Sequence, residues 1–170
     1  MDDERVELAP WTDDDLPLLQ RQDAPGMTAY LGGPEGEQKV LLRHQRFLRE
    51  QGSTMWPFTI RVGPQADAVG SVAYWQTVHA GEDAYEMGWA VIPEHQGHGY
   101  GSRGIRLALE HAARNGDRRL MWAFPRTDNL SSNALARAGG FENTGEQNSE
   151  YPKGVPIVVN AWVFDLDSLR

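Results

Sequence analysis

The chain has 170 residues, 40% of them apolar, which is enough to bury one core and leads us to expect a single domain over 1–170. It contains no cysteine, so a disulfide framework, a thiolate zinc site and an acyl-cysteine intermediate are excluded. The net charge of −8 argues against a nucleic-acid partner, and no run approaches the roughly 20 apolar residues of a membrane span, so a soluble, cytoplasmic protein is expected.

In chain order, residues 5–9 read as a strand, and Thr12 followed by Asp13, Asp14 and Asp15 reads as a helix N-cap with acids in the first turn, the helix running to about Gln22. Residues 23–36 carry four glycines and two prolines and read as a loop without regular structure. From Glu37, the residues Val40, Leu41, His44, Phe47 and Leu48 recur at helical spacing, and this second helix stops near Gln51 and Gly52. Three strands follow, 54–62, 68–78 and 85–92, joined by short turns as an antiparallel meander. Then come a glycine-rich loop, a helix over 105–115, and a short strand over 119–124 set parallel to the preceding one by a right-handed crossover. A helix over 129–138 and a final hairpin of 141–149 with 155–165 complete the chain. The sum is an α/β domain with a mixed, mostly antiparallel sheet of about seven strands flanked by four helices.

The loop Gln96-Gly97-His98-Gly99-Tyr100-Gly101 ends a strand and opens a helix, which aims backbone N–H groups and the positive end of a helix dipole at one point and so favours phosphate. A nucleotide-triphosphatase loop would continue with Gly-Lys-Ser/Thr, and here Ser102-Arg103-Gly104 follows. A dinucleotide fingerprint can be spelled from Gly99, Gly101 and Gly104, but only 66 residues remain for the further strand–helix units that fold requires. The third reading joins this loop to the Val91-Ile92-Pro93 strand end before it and to Asn129-Leu130-Ser131-Ser132-Asn133, with Gly140-Phe141, after it. This pairing resembles the GNAT family of N-acetyltransferases, most nearly its branch of ribosomal-protein N-terminal acetyltransferases, over residues 85–141. The first 80 residues match no motif, and they are where such proteins differ in acceptor.

The resemblance implies acetyl-CoA as acyl donor, a sheet splayed at the cofactor site, and pyrophosphate held by Gln96, Gly97, His98, Gly99, Tyr100, Gly101 and Ser102. By the same resemblance the backbone of Val91, Ile92 and Pro93 flanks the splay and pairs with the pantetheine arm, Asn129 contacts that arm, and a serine or tyrosine near Ser132 protonates the leaving thiolate. The residues themselves leave bland readings open: Asn129 and Ser132 are ordinary N-cap types, and Tyr151 on the last hairpin is a rival acid.

Strand alternation puts Glu86, Gly88, Ala90 and Ile92 on one face, where Glu86 is the candidate base for an ammonium, directly or through a water. As an alternative it is a surface carboxylate or the partner of an arginine. Residues 103–137 hold seven arginines against Glu110, Asp117 and Asp128, a local +4 that leaves −12 on the remainder. That division suits an anionic cofactor on one side and a cationic acceptor on the other, although the arginines also serve simply to solvate two helices. The acceptor site is expected between residues 23–36 and 147–156, with Trp56 or Trp75 as walls and Asp23, Glu35 and Glu37 attracting a cation. The acceptor is then an amine, on a protein N-terminus or on a small cationic molecule; a non-catalytic acyl-CoA sensor is the competing reading. Oligomeric state is left open, a homodimer included.

Overall fold

The computed structural model describes residues 4–63 and 67–170, so part of the turn expected between the second and third strands lies outside the described residues. One seven-stranded sheet forms, in the order β1-β2-β3-β4-β5-β7-β6. Its strands are β1 (Val6–Pro10), β2 (Met55–Val62), β3 (Ala68–His79), β4 (Glu82–Val91), β5 (Leu120–Ala123), β6 (Glu142–Glu150) and β7 (Pro156–Asp165). All pairings are antiparallel except β4 with β5.

The helices are α1 (Leu16–Gln22), α2 (Pro25–Thr28), α3 (Glu37–Glu50), α4 (Tyr100–Asn115) and α5 (Leu130–Gly139). Helix α2 corrects the expectation that residues 23–36 are wholly irregular. Ala24 is extended and Pro25 stands at N1, where its fixed φ suits a helical start and its missing N–H costs nothing. At Thr12 the acids do close the turn: the Asp15 carboxylate accepts from the Thr12 backbone N–H at 2.8 Å and from its hydroxyl at 3.1 Å. Asp15 is buried and meets Arg61 of β2 at 3.2 Å, which ties the start of α1 to the sheet.

Two apolar clusters hold the layers together. On one face of the sheet, α4 buries Ile105, Ala108, Leu109 and Ala112 against Ile60, Val72, Tyr74, Tyr85 and Met121. On the other, Trp11, Leu18, Leu19 and Val40 pack beneath α1 and α3, while Leu41, counted in the sequence stripe, faces solvent. The helices of this second layer do not extend over the whole sheet: Trp75, Glu86, Gly88, Ala90 and Trp122 remain only half-buried.

Candidate active site

Strand β4 ends in a closed corner. Ile92 N donates to Val69 O at 2.9 Å, Gln96 Nε2 donates to Val91 O at 2.9 Å, and Pro93 opens a short 3-10 turn. The Gln96 side chain thus fastens the loop, leaving its backbone for any ligand. Gly97 and Gly99 both sit at φ +78°, where a side chain is strained, and a Cβ at either would meet nothing within 4 Å. These two glycines therefore serve conformation in front of open space.

Helix α4 begins at Tyr100, five residues before the sequence stripe, so Tyr100, Gly101 and Ser102 form its first turn. The first backbone bond into it runs from Arg103 N to Gly99 O at 3.2 Å. The amides of Gly99, Tyr100, Gly101 and Ser102 donate to no acceptor among the described residues, an anion-binding array at the positive helix end. Gly101 needs a different explanation from the one its motif suggests. A Cβ there would lie 3.0 Å from Leu135 Cδ2 and 3.2 Å from Val91 Cγ2, and at Gly104 2.7 Å from Ile60 Cδ1. Both are packing glycines that let α4 approach the sheet and α5, and at Gly101 the backbone N–H, not the missing Cβ, is what faces a ligand. The Tyr100 ring also turns inward, its hydroxyl donating to Glu4, with His98 stacked on it at 5.3 Å.

The parallel pair β4–β5 has two rungs, Tyr85 with Met121 and Glu86 with Trp122. From Met87 to Val91 the edge of β4 facing β5 has no strand partner among the described residues, so the sheet parts right after Glu86 and well before Val91 and Pro93, where the sequence reading put it. Alternate N–H and C=O groups along that edge are left for a ligand backbone. On β4, Tyr85 and Met87 are buried toward α4, while Glu86 faces the other layer as alternation predicts. Burial raises the Glu86 carboxyl above its ordinary value, and the nearby Trp75 side chain offsets part of that rise. It is neither a free surface acid nor the partner of an arginine among the described residues.

At the head of α5, Asn129 Oδ1 accepts from Ser132 N at 3.2 Å and from Ser131 Oγ at 3.2 Å, so Asn129 does cap the helix. Its amide nitrogen and the Ser132 hydroxyl have no partner among the described residues. The residue that organises this corner is Asn133, whose role the sequence reading missed. Its Nδ2 donates to Arg126 O and Asn129 O, at 2.9 and 2.7 Å, and its Oδ1 accepts from Asn160 Nδ2 and Trp162 Nε1, at 2.9 and 2.8 Å. Nothing local in the sequence signals this, because both side-chain donors lie on β7. Asn133→Ala strands the buried Trp162 N–H, and is expected to lower unfolding free energy by about 2 kcal/mol, read by urea denaturation.

The two loops assigned to the acceptor side do meet. A Cβ at Gly32 would lie 2.9 Å from Pro152 Cδ, and Tyr151 hydroxyl donates to Glu35 at 3.3 Å. Two of the three acids expected to attract a cation are already engaged: Asp23 accepts from Glu35 N and Gly36 N at 2.7 and 3.0 Å, and Glu35 pairs with Arg43. Of the two candidate walls, Trp56 stacks on Tyr74 at 4.9 Å on the α4 side, and Trp75 alone lies on the Glu86 side.

A central parallel pair that parts over a half-buried acid, beside a helix N-terminus with unpaired amides, is the arrangement of an acyltransferase fold. The family model of the GNAT acetyltransferase domain matches residues 5–142, and the chain belongs to that family. Among solved structures, the spermidine N-acetyltransferase from Vibrio cholerae, in complex with CoA and spermine, is 17% identical with a TM-score of 0.78, covering 96% of this chain and 97% of its own. The Salmonella typhimurium acetyltransferase that modifies the N-terminal serine of ribosomal protein L7/L12 is 23% identical, TM-score 0.77, covering 94% of each chain. The microcin C7 self-immunity acetyltransferase MccE, in complex with acetyl-CoA and AMP, is 17% identical, TM-score 0.77, covering 96% of this chain and 93% of its own. At these identities the likeness is one of fold. No curated protein sequence matches the chain. Among the described residues no helix is long and apolar enough to cross a membrane, and no group of side chains is arranged to hold a metal ion.

Proposed function

We propose that the protein, acting as one domain over residues 1–170, is an acetyl-CoA-dependent N-acetyltransferase that passes acetyl directly to a primary amine, on a protein N-terminus or a small cationic molecule. The observation that carries this reading is the run of amides at Gly99, Tyr100, Gly101 and Ser102, next to an edge of β4, both without partners among the described residues. The first would hold a pyrophosphate, and the second would pair with an amide-bearing arm and offer an N–H to a thioester oxygen. Bound there, acetyl-CoA supplies the activated acyl group: the amine nitrogen forms the C–N bond, the C–S bond breaks, and the thiol leaves. Structural neighbours acting on spermidine and on a ribosomal protein N-terminus support amine acceptors as a class.

Glu86 takes the proton from the acceptor ammonium, directly or through one water. Burial raises its pKa, which makes its carboxylate a stronger base than an exposed one. Asn129, whose amide nitrogen has no partner among the described residues, would contact the pantetheine arm, and Ser132, whose hydroxyl has none either, would meet the sulfur. Tyr151 is a weaker acid than a free phenol, because burial and the Glu35 carboxylate push it up, and its hydroxyl already donates to Glu35. A thiol of pKa about 8.5 departs readily as thiolate, so Ser132 positions the sulfur more than it protonates it. Ser132→Ala is expected to cost about tenfold in kcat, below the about 10² to 10⁴ of a full proton-transfer role, and Tyr151→Phe less than that, both read by steady-state kinetics.

Thermal shift with acetyl-CoA and with NADH tests the cofactor assignment. Stabilisation by acetyl-CoA alone is expected, and stabilisation by NADH alone would return the loop to the dinucleotide reading.

A further inference from the structure

The half-buried face around Glu86 is lined by aromatic rings. In the antiparallel register Trp75 stands opposite Glu86, and in the parallel register Trp122 stands opposite it on the other side, so the carboxylate lies between two tryptophans. The Trp75 ring lies over Gly88, where a Cβ would come within 3.3 Å of its Cη2. Trp122 and Phe124 are stacked, 5.9 Å apart and 4° from parallel, and His79 packs against both at 4.0 and 5.2 Å. All four rings remain part-exposed, although the chain has ample core in which rings of this size are hidden elsewhere.

Charge in this region is as informative as shape. Asp23 is spent on the turn at Glu35 and Gly36, Glu35 on Arg43 and Tyr151, and Asp128 on Arg126, whose guanidinium lies 5.7 Å from the Tyr30 ring. Glu86 is the carboxylate set between the two tryptophans and half-buried there, whereas Glu82, opposite His79 on the same face, is exposed to solvent. A polyamine or an aminoglycoside carries several ammonium groups, each of which needs its own acid or water when it is sequestered. A single ammonium attached to a flat apolar body needs one acid and several ring faces.

We infer that the acceptor is a monoamine whose aromatic or comparably flat apolar group lies among Trp75, Trp122, Phe124 and His79, with its ammonium at Glu86. This rests on the acetyltransferase reading above and narrows its acceptor class. Ring faces attract the ammonium before it gives up its proton and hold the flat group afterwards. The remaining rings make Trp75 and Trp122 specificity-determining residues; the proton goes to Glu86 alone.

The test uses the full chain, with tryptamine and phenethylamine against hexylamine and spermidine. Thiol release gives kcat/KM, and calorimetry on the CoA-loaded protein gives affinity whether or not turnover occurs. Aromatic amines should exceed hexylamine and spermidine by about tenfold or more, the scale of one aromatic contact. Trp122→Leu should erase that preference mainly through KM, and Trp122→Phe should restore most of it, with thermal midpoints checked to show that both variants fold. If hexylamine or spermidine equals the aromatic amines in both measurements, or if the preference survives Trp122→Leu in a folded protein, the inference is wrong. Preferential binding of aromatic amines without thiol release would uphold the inference and count against the transferase reading instead.

Discussion

Glu86→Gln is expected to lower turnover on the order of 100-fold or more with acetyl-CoA binding unchanged, since a positioned general base contributes about 10² to 10⁴. Glutamine keeps the size and polarity of the side chain, so the floor between Trp75 and Trp122 is retained and only the proton acceptor is lost. The same substitution should leave the fold as stable as the wild type or more so at neutral pH. Burial raises the folded-state pKa of Glu86, so between the unfolded and folded values the native state binds more protons than the unfolded chain, and stability falls as pH rises through that window. The variant has no such loss, so its advantage in thermal midpoint should grow from acid to neutral pH. In kcat/KM, the acid limb attributed to Glu86 should lie above the ordinary carboxylate range and vanish in the variant. Wild-type turnover in Glu86→Gln would remove Glu86 from the mechanism, and an unstable variant would show that the carboxylate holds structure instead.

The second large effect is expected at Gly99. Its φ of +78° disfavours any side chain, most of all a β-branched one, and its Cβ direction is open to solvent. Gly99→Val therefore turns the amides at the head of α4 away from a common point without striking another part of the protein. Losing two hydrogen bonds to a charged pyrophosphate corresponds to on the order of 100-fold or more in acetyl-CoA affinity. Left-handed strain confined to this exposed loop costs about 1 to 2 kcal/mol, a thermal shift of only a few degrees. Gly101→Val should behave differently, lowering stability along with any effect on the ligand, because its Cβ would crowd the side chains of Leu135 and Val91 at 3.0 and 3.2 Å. Calorimetric titration of Gly99→Val with unchanged affinity would exclude the α4 amides as the pyrophosphate site.

Local chemistry made much of this site legible in the sequence. Alternation along β4 gave the face of Glu86, Pro93 gave the end of the strand, and Gln96, Gly99 and Gly101 at their spacing from Asn129 and Phe141 gave the family. What the sequence hid depends on residues far apart in the chain. The sheet parts after the Glu86–Trp122 rung because β5 is short and β7 takes its other edge, a matter of register between strands more than thirty residues apart. For the same reason Trp122 was not seen beside Glu86, and Asn133 was not seen beneath Trp162. The acids Asp23 and Glu35 look available in one dimension, and only the packed loops reveal that a turn and Arg43 have taken them. Gly101 had the right identity for two different reasons, and the contacts of its missing Cβ choose between them.

The most direct test of the central claim is thiol release from acetyl-CoA by the full chain, across free-N-terminus peptides, aromatic and aliphatic monoamines, aminoglycosides and polyamines, with mass spectrometry of each amine. An acetyl mass increment on one class, equal in amount to the thiol released and lost in Glu86→Gln, is the predicted result. Thermal stabilisation by acetyl-CoA with neither thiol release nor an acetylated amine from any class would contradict it, and would favour a protein that senses the acyl donor without using it.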